Sequence, residues 1–152
     1  MQILKNDFTI YRFNVNESIP DKVYISKYFW IGKTNEELSI VCESNILIDN
    51  VQSNSNWSII KIFGKLNFSL VGILAEISNA LKNAEISIIA LSTYDTDYFM
   101  LKKDKLKEAK IALENIGYKF KKQPNLQNLK SCLLTVCLQF WINWIIYAKV
   151  IN

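Results

Sequence analysis

The chain has no histidine, which removes a common zinc ligand and the side chain whose ordinary pKa lies closest to neutral pH. Its three cysteines, Cys42, Cys132 and Cys137, are odd in number and show no CxxC spacing, so neither a disulfide framework nor a metal site is supported. There is no GxSxG elbow, Walker loop or GxGxxG fingerprint, and no other motif calls for a cofactor. Acid–base work would fall to Asp, Glu, Lys, Tyr or Cys, and no segment places a nucleophile beside such a base. The chain is therefore not expected to be an enzyme, and any associated catalysis belongs to a partner that it regulates. Excess charge of one sign is also scarce. Eighteen Lys and Arg against 14 Asp and Glu leave +4, scattered rather than gathered into a stripe, so nucleic acid is not an expected partner. The first ten residues include Lys5 and Asp7 and lack the apolar core of a secretory signal. With 152 residues, 50% of them hydrophobic, the chain can bury one or two small cores, as a compact cytoplasmic domain does.

The most informative stretch runs from Trp57 to Phe120. Trp57 to Phe63 is an apolar, β-branched run closed by Gly64, a first strand. From Leu70, apolar residues recur at Ile73, Leu74, Ile77 and Leu81, the spacing of one helix face, while Glu76, Asn79 and Lys82 point elsewhere. Ile86 to Leu91 is apolar on both alternating faces, which suits a central strand covered on both sides. Tyr94 to Asp97 is a turn by composition, and Tyr98 to Leu101 resumes a strand, completing a hairpin. Asp104 is placed to cap a second helix with Leu106, Ala109, Leu113 and Ile116 inward, closed by Gly117 in the left-handed conformation. Tyr118 to Phe120 is expected to return as an edge strand. The resulting class is α+β, with the ferredoxin-like order βαββαβ and two helices on one face of an antiparallel sheet.

Upstream, Phe8 to Phe13 alternates like a strand, Ile19-Pro20-Asp21 turns, and Tyr28 to Ile31 is strand-like before Gly32. Thr34 with Glu37 carries a capping-box signature, so one or two helical turns are expected before the strand at Ile40-Val41-Cys42. Tyr28, Phe29 and Trp30 read as core. The polar, aperiodic segment Asp49 to Asn56 marks a linker.

The segments 66–74 (Leu-Asn-Phe-Ser-Leu-Val-Gly-Ile-Leu) and 91–98 (Leu-Ser-Thr-Tyr-Asp-Thr-Asp-Tyr) resemble the ACT-domain family. Segments 8–13 and 34–42 are similar to the tandem-ACT subgroup related to the regulatory part of aspartate kinase. The resemblance covers Phe8 to Lys121 and implies a shortened ACT-like half at 1–52 and an ACT domain at 57–122; an apolar extension at 124–152 follows beyond it. It also implies a non-catalytic regulatory module that binds a small ligand, usually an amino acid, and forms a homodimer or docks on a regulated enzyme. The implied ligand contacts are Asn67, Phe68, Ser69, Leu70, Val71 and Gly72 on one turn and Thr93, Tyr94, Asp95 and Asp97 on the other. Glu37 and Ser39 would line the opposing wall. The family commonly carries Asp where this chain has Asn67, a departure that keeps open the alternative of an assembly domain that has lost ligand binding.

The chemistry of the two turns suits such a ligand. A helix beginning near Ser69 would leave backbone N–H groups free to receive a carboxylate, and Asp95 and Asp97 would pair with an ammonium group. Gly72 would permit a close approach of the helix to neighbouring backbone. Each residue also has a purely structural reading: Ser69 as a helix cap, Asp95 and Asp97 as turn formers, and Glu37 as the partner of Thr34.

From Ser131 through Ala148 no charged residue occurs, which approaches the roughly 20 apolar residues that span a bilayer. Lys121, Lys122 and Lys130 precede the run, while Gln139 and Asn143 interrupt it. Three accounts fit: a membrane tail anchor, a helix that covers an apolar surface or dimer interface, and an extension produced by an altered reading frame.

Overall fold

The computed structural model describes residues 1–63 and 72–121. The expected apolar extension and the Asn67–Val71 part of the expected binding turn lie outside them. Seven strands and two helices follow one another as β1 (Gln2–Ile3), β2 (Phe8–Phe13), β3 (Phe29–Lys33), β4 (Leu38–Glu43), β5 (Gln52–Lys61), α1 (Ile73–Asn83), β6 (Ile88–Ser92), β7 (Asp97–Lys102) and α2 (Leu106–Asn115). All strand pairs are antiparallel, in the order β3-β4-β2-β5-β7-β6, with β1 beside β5. The class is α+β, as expected.

β5 joins the two halves of the sheet. Its second part, Trp57 to Lys61, pairs with β7, and its first part pairs with β2, Arg12 opposite Gln52 and Ile10 opposite Asn54, with Phe8 meeting Trp57 beyond it. The segment expected to be a linker is therefore strand from Gln52 onward. Its side chains are exposed, so no apolar alternation betrays a strand whose pairing with β2 is set by the backbone. Between the two parts the register with β2 shifts, and Asn56 adopts a left-handed φ of 63°. Such an irregularity bends a strand and increases its twist. Lys102 holds the bend, its Nζ bonding Asn54 and the Ser55 carbonyl (2.8 Å) and lying 4.2 Å from the centroid of the Trp57 ring.

The alternation of side chains builds three cores. On one face of β5 and β7, Ile60, Ile62, Phe99 and Leu101 pack under the two helices, which contribute Ile77, Leu81, Ala109 and Leu113. On the other face, Trp57, Ile59, Tyr98 and Met100 meet Phe8 and Val41 from the first half, with Tyr28 and Trp30 against them. The Trp30 and Tyr98 rings are 5.1 Å apart, edge to face, so β3 reaches β7 across the folded sheet. The third core sets Tyr11, Phe13, Leu38, Ile40 and Cys42 beneath Val23 of a short 3₁₀ turn at Asp21–Ile25.

Several expectations change. Thr34 to Glu37 is a hairpin turn between β3 and β4, not a helix. Thr34 Oγ1 accepts from the N–H groups of Glu36 (3.1 Å) and Glu37 (3.2 Å), the bonds a helix cap would make, but strand pairing on both sides decides the outcome. β6 is an edge strand rather than central: Ile88 packs toward the helices, Ile89 and Leu91 toward the opposite core, and its outer edge has no partner among the described residues. Tyr118 to Phe120 forms no strand. The position beside β5 is taken by β1, and the returning chain bonds Met1 instead, through its ammonium to the Lys119 carbonyl (2.6 Å) and Lys121 N–H to its carbonyl (2.9 Å). In the second half the described order is thus βαββα, with the N-terminal strand in place of the last. Asp104 sits in a 3₁₀ turn and caps nothing, the N-cap of α2 being Lys105. Ile116 is 37% exposed rather than inward, whereas Gly117 holds the expected left-handed φ, 94°.

Candidate functional site

Of the expected ligand contacts, Thr93, Tyr94, Asp95 and Asp97 lie on the β6–β7 hairpin. Thr93 N–H donates to the Thr96 carbonyl at 2.9 Å, and the Thr93 hydroxyl donates to the same oxygen at 3.1 Å, closing a turn over Thr93–Thr96. Asp97 is already engaged, its Oδ1 accepting the Ser92 hydroxyl at 2.7 Å, and its carbonyl accepts the Ile62 N–H at 3.0 Å. That last bond brings the chain leaving β5 to the hairpin. α1 then leads to the start of β6, at the opposite end of that strand, so its own N-terminus lies toward the hairpin. Tyr94 and Asp95 are exposed at the tip.

α1 begins at Ile73, later than expected, with Gly72 as its N-cap at φ 96°. A Cβ on Gly72 would meet nothing within 4 Å among the described residues, and the positive φ is itself a reason for glycine there. Ile77 and Leu81 are buried, but Leu74 is 42% exposed. The first N–H groups of α1 have no partners within the helix and carry its positive end.

Glu37 and Ser39 belong to a separate cluster in the first half. Glu37 accepts from Arg12 Nε (2.7 Å) and from the Ser39 hydroxyl (2.9 Å), and these bonds, Arg12 first, hold its carboxyl below the usual carboxylate range. No hydrogen bond among the described residues joins this cluster to the hairpin. The clefts lined by Gln2, Leu4 and Phe8, by Asn56 and Lys102, by Arg12 and Gln52, and by Asp7 and Ser44 include no predicted contact.

Sequence reasoning missed Glu43. It is only 5% exposed at the end of β4, where period two sets it on the same face as Val41, the one signal that could have flagged it. Among the described residues no group of acidic or cysteine side chains is arranged to hold a metal ion, and no helix is long and apolar enough to cross a membrane.

Comparison with known proteins agrees with this architecture. The model for the ACT domain matches residues 52–115, and a second model, described as an N-terminal domain, matches residues 6–50. No curated protein matches the chain. A crystal structure of an Agobacterium tumefaciens protein is 27% identical, with a TM-score of 0.76 over 82% of this chain and 92% of that one. A Vibrio cholerae protein of unknown function is 20% identical, with a TM-score of 0.63 over 76% of this chain and 88% of that one. The ligand-free regulatory subunit of aspartate kinase from Thermus thermophilus shares the fold at 10% identity, with a TM-score of 0.57 over 76% of this chain and 95% of that one. Residues 52–115 thus match the ACT domain family, and together with the N-terminal domain they share the fold of aspartate kinase regulatory domains.

Proposed function

We propose that the chain is a non-catalytic regulatory module that binds an amino acid at an interface between ACT units and thereby changes how those units, or a regulated enzyme, assemble. What supports this reading is the topology of the ACT segment, whose chain direction turns the positive start of α1 toward the sheet end that carries the Thr93–Asp97 hairpin. A ligand carboxylate would be received by the N–H groups around Gly72 and by the preceding Asn67, Phe68, Ser69, Leu70 and Val71. Its ammonium would pair with Asp95 and Asp97, and Glu37 and Ser39 of a neighbouring unit would complete the wall. Binding changes assembly only to the extent that the ligand prefers one arrangement over the other.

Thermal unfolding of the full chain against each common amino acid tests this. Ligand at about a hundredfold its dissociation constant should add about 2.7 kcal/mol, raising the midpoint by several degrees, and an Asp95→Asn, Asp97→Asn double variant should lose the shift. A folded sample that shifts with none of them would favour a second reading, an assembly domain without a ligand. Asn67, where the family commonly has Asp, and the edge of β6, unpaired among the described residues, both favour that alternative. A membrane tether through 131–148 is compatible with either.

A further inference from the structure

Away from the hairpin, a cleft of about 200 Å³ opens beside the connection between β1 and β2, walled by Leu4, Asn6, Phe8, Tyr28 and Glu43, with Lys5 and Lys27 also lining it. We propose that this cleft is a second ligand site, built to take a zwitterionic α-amino acid with its ammonium group on Glu43. The proposal does not depend on the site at α1.

Glu43 is the reason. Its side chain is nearly excluded from water, yet it pairs with no lysine or arginine among the described residues. It accepts only neutral donors, the Asn6 amide at 2.7 Å and the Lys27 backbone N–H at 3.3 Å, while its own N–H donates to the Ser26 hydroxyl at 3.1 Å. A carboxylate offers about four lone-pair positions, so these two donors leave acceptor capacity unused. Burying such a charge without a countercharge is costly, and a cation seated in the cleft would offset it. Lys27 Nζ lies 5.7 Å from the centroid of the Tyr28 ring, so the aromatic wall of the cleft holds one of its two lysines at the rim.

The lysines select among cations. Neither Lys5 nor Lys27 forms an ion pair among the described residues. They would repel a divalent metal, for which one carboxylate also supplies too few oxygens. A zwitterion uses both signs, its carboxylate turning to the lysines and its ammonium to Glu43. The volume admits a single small molecule and not a nucleotide or a peptide.

The test is an NMR titration of the ¹⁵N-labelled full chain, reading the Asn6 side-chain amide and the Lys27 backbone amide, the two groups that bond Glu43. A panel of α-amino acids at millimolar concentration should include at least one that moves both signals saturably. Butylamine, which lacks the carboxylate, should bind at least about tenfold more weakly, and butyrate should not move the signals. Glu43→Gln, which keeps the size of the side chain and its acceptor for Asn6, should weaken binding about tenfold or more. The Asp95→Asn, Asp97→Asn double variant should leave the response unchanged. Failure of every amino acid to move the two wild-type signals overturns the proposal without recourse to any variant. Unchanged affinity in folded Glu43→Gln overturns it as well. Loss of the response in the hairpin variant would place the ligand at α1 and remove this second site.

Discussion

Among the described residues Gly72 and Gly32 have equally open surroundings, and their roles are opposite. A Cβ at either would meet nothing within 4 Å, but Gly72 holds φ at 96° and Gly32 lies in regular strand. Gly72→Ala should therefore destabilise the protein by about 1–2 kcal/mol in urea unfolding, while Gly32→Ala stays within about 0.5 kcal/mol of wild type. Cys42 allows a pH prediction with a definite sign. Burial first, and the charge of Glu43 second, push its thiol up to about 11. On raising pH the unfolded thiol ionises near its usual value of about 8.5 while the folded one stays protonated, so its contribution is complete below that value. Stability should then fall from there toward pH 11, by at most about 1.4 kcal/mol per pH unit, and Cys42→Ala should lack this component of the slope. Some of these roles were legible in the sequence. Gly117 follows a helical pattern at the place where a left-handed residue is needed, and it has that conformation. Gly72 was also legible as a special position, although sequence does not separate a conformational need from a spatial one.

At the scale of elements, β5 carries most of the architecture, and its bend depends on one residue. Asn tolerates the left-handed conformation found at position 56, whereas a β-branched side chain does not. Asn56→Val should cost about 1–2 kcal/mol and Asn56→Gly should be neutral or stabilising, measured by chemical denaturation. Helices and apolar strands were readable because their period is written in buried residues such as Ile77 and Leu81 or Tyr98 and Met100. The first part of β5 was not, because its five exposed side chains carry no period and its pairing lies in the backbone. Thr34 and Glu37 show the complementary problem. A threonine that accepts N–H groups two and three residues ahead starts a helix or closes a hairpin equally well, and only the pairing of β3 with β4 distinguishes them.

Across the whole molecule, strands β5 and β7 lie between cores on both faces, whereas β3 and β6 form the edges of the sheet. Hydrogen exchange should protect the amides of Ile59, Ile60, Phe99 and Met100 most strongly and those of β6 least, with ligand at the hairpin raising protection in β6. Opening of the two halves in a single step is expected, since Phe8 and Val41 pack on Trp57 and Ile59 in one cluster. Strand order lay beyond the sequence: nothing in Gln2 and Ile3 announces that they displace the returning chain from the side of β5. The continuity of β5 also bears on how this chain can vary. Its polar start has the composition of a spacer that tolerates insertions, yet one added residue inside it would turn every later side chain of the strand to the opposite face or force a slip against β2. The identities of residues 52–55 are therefore free to drift while their number is not.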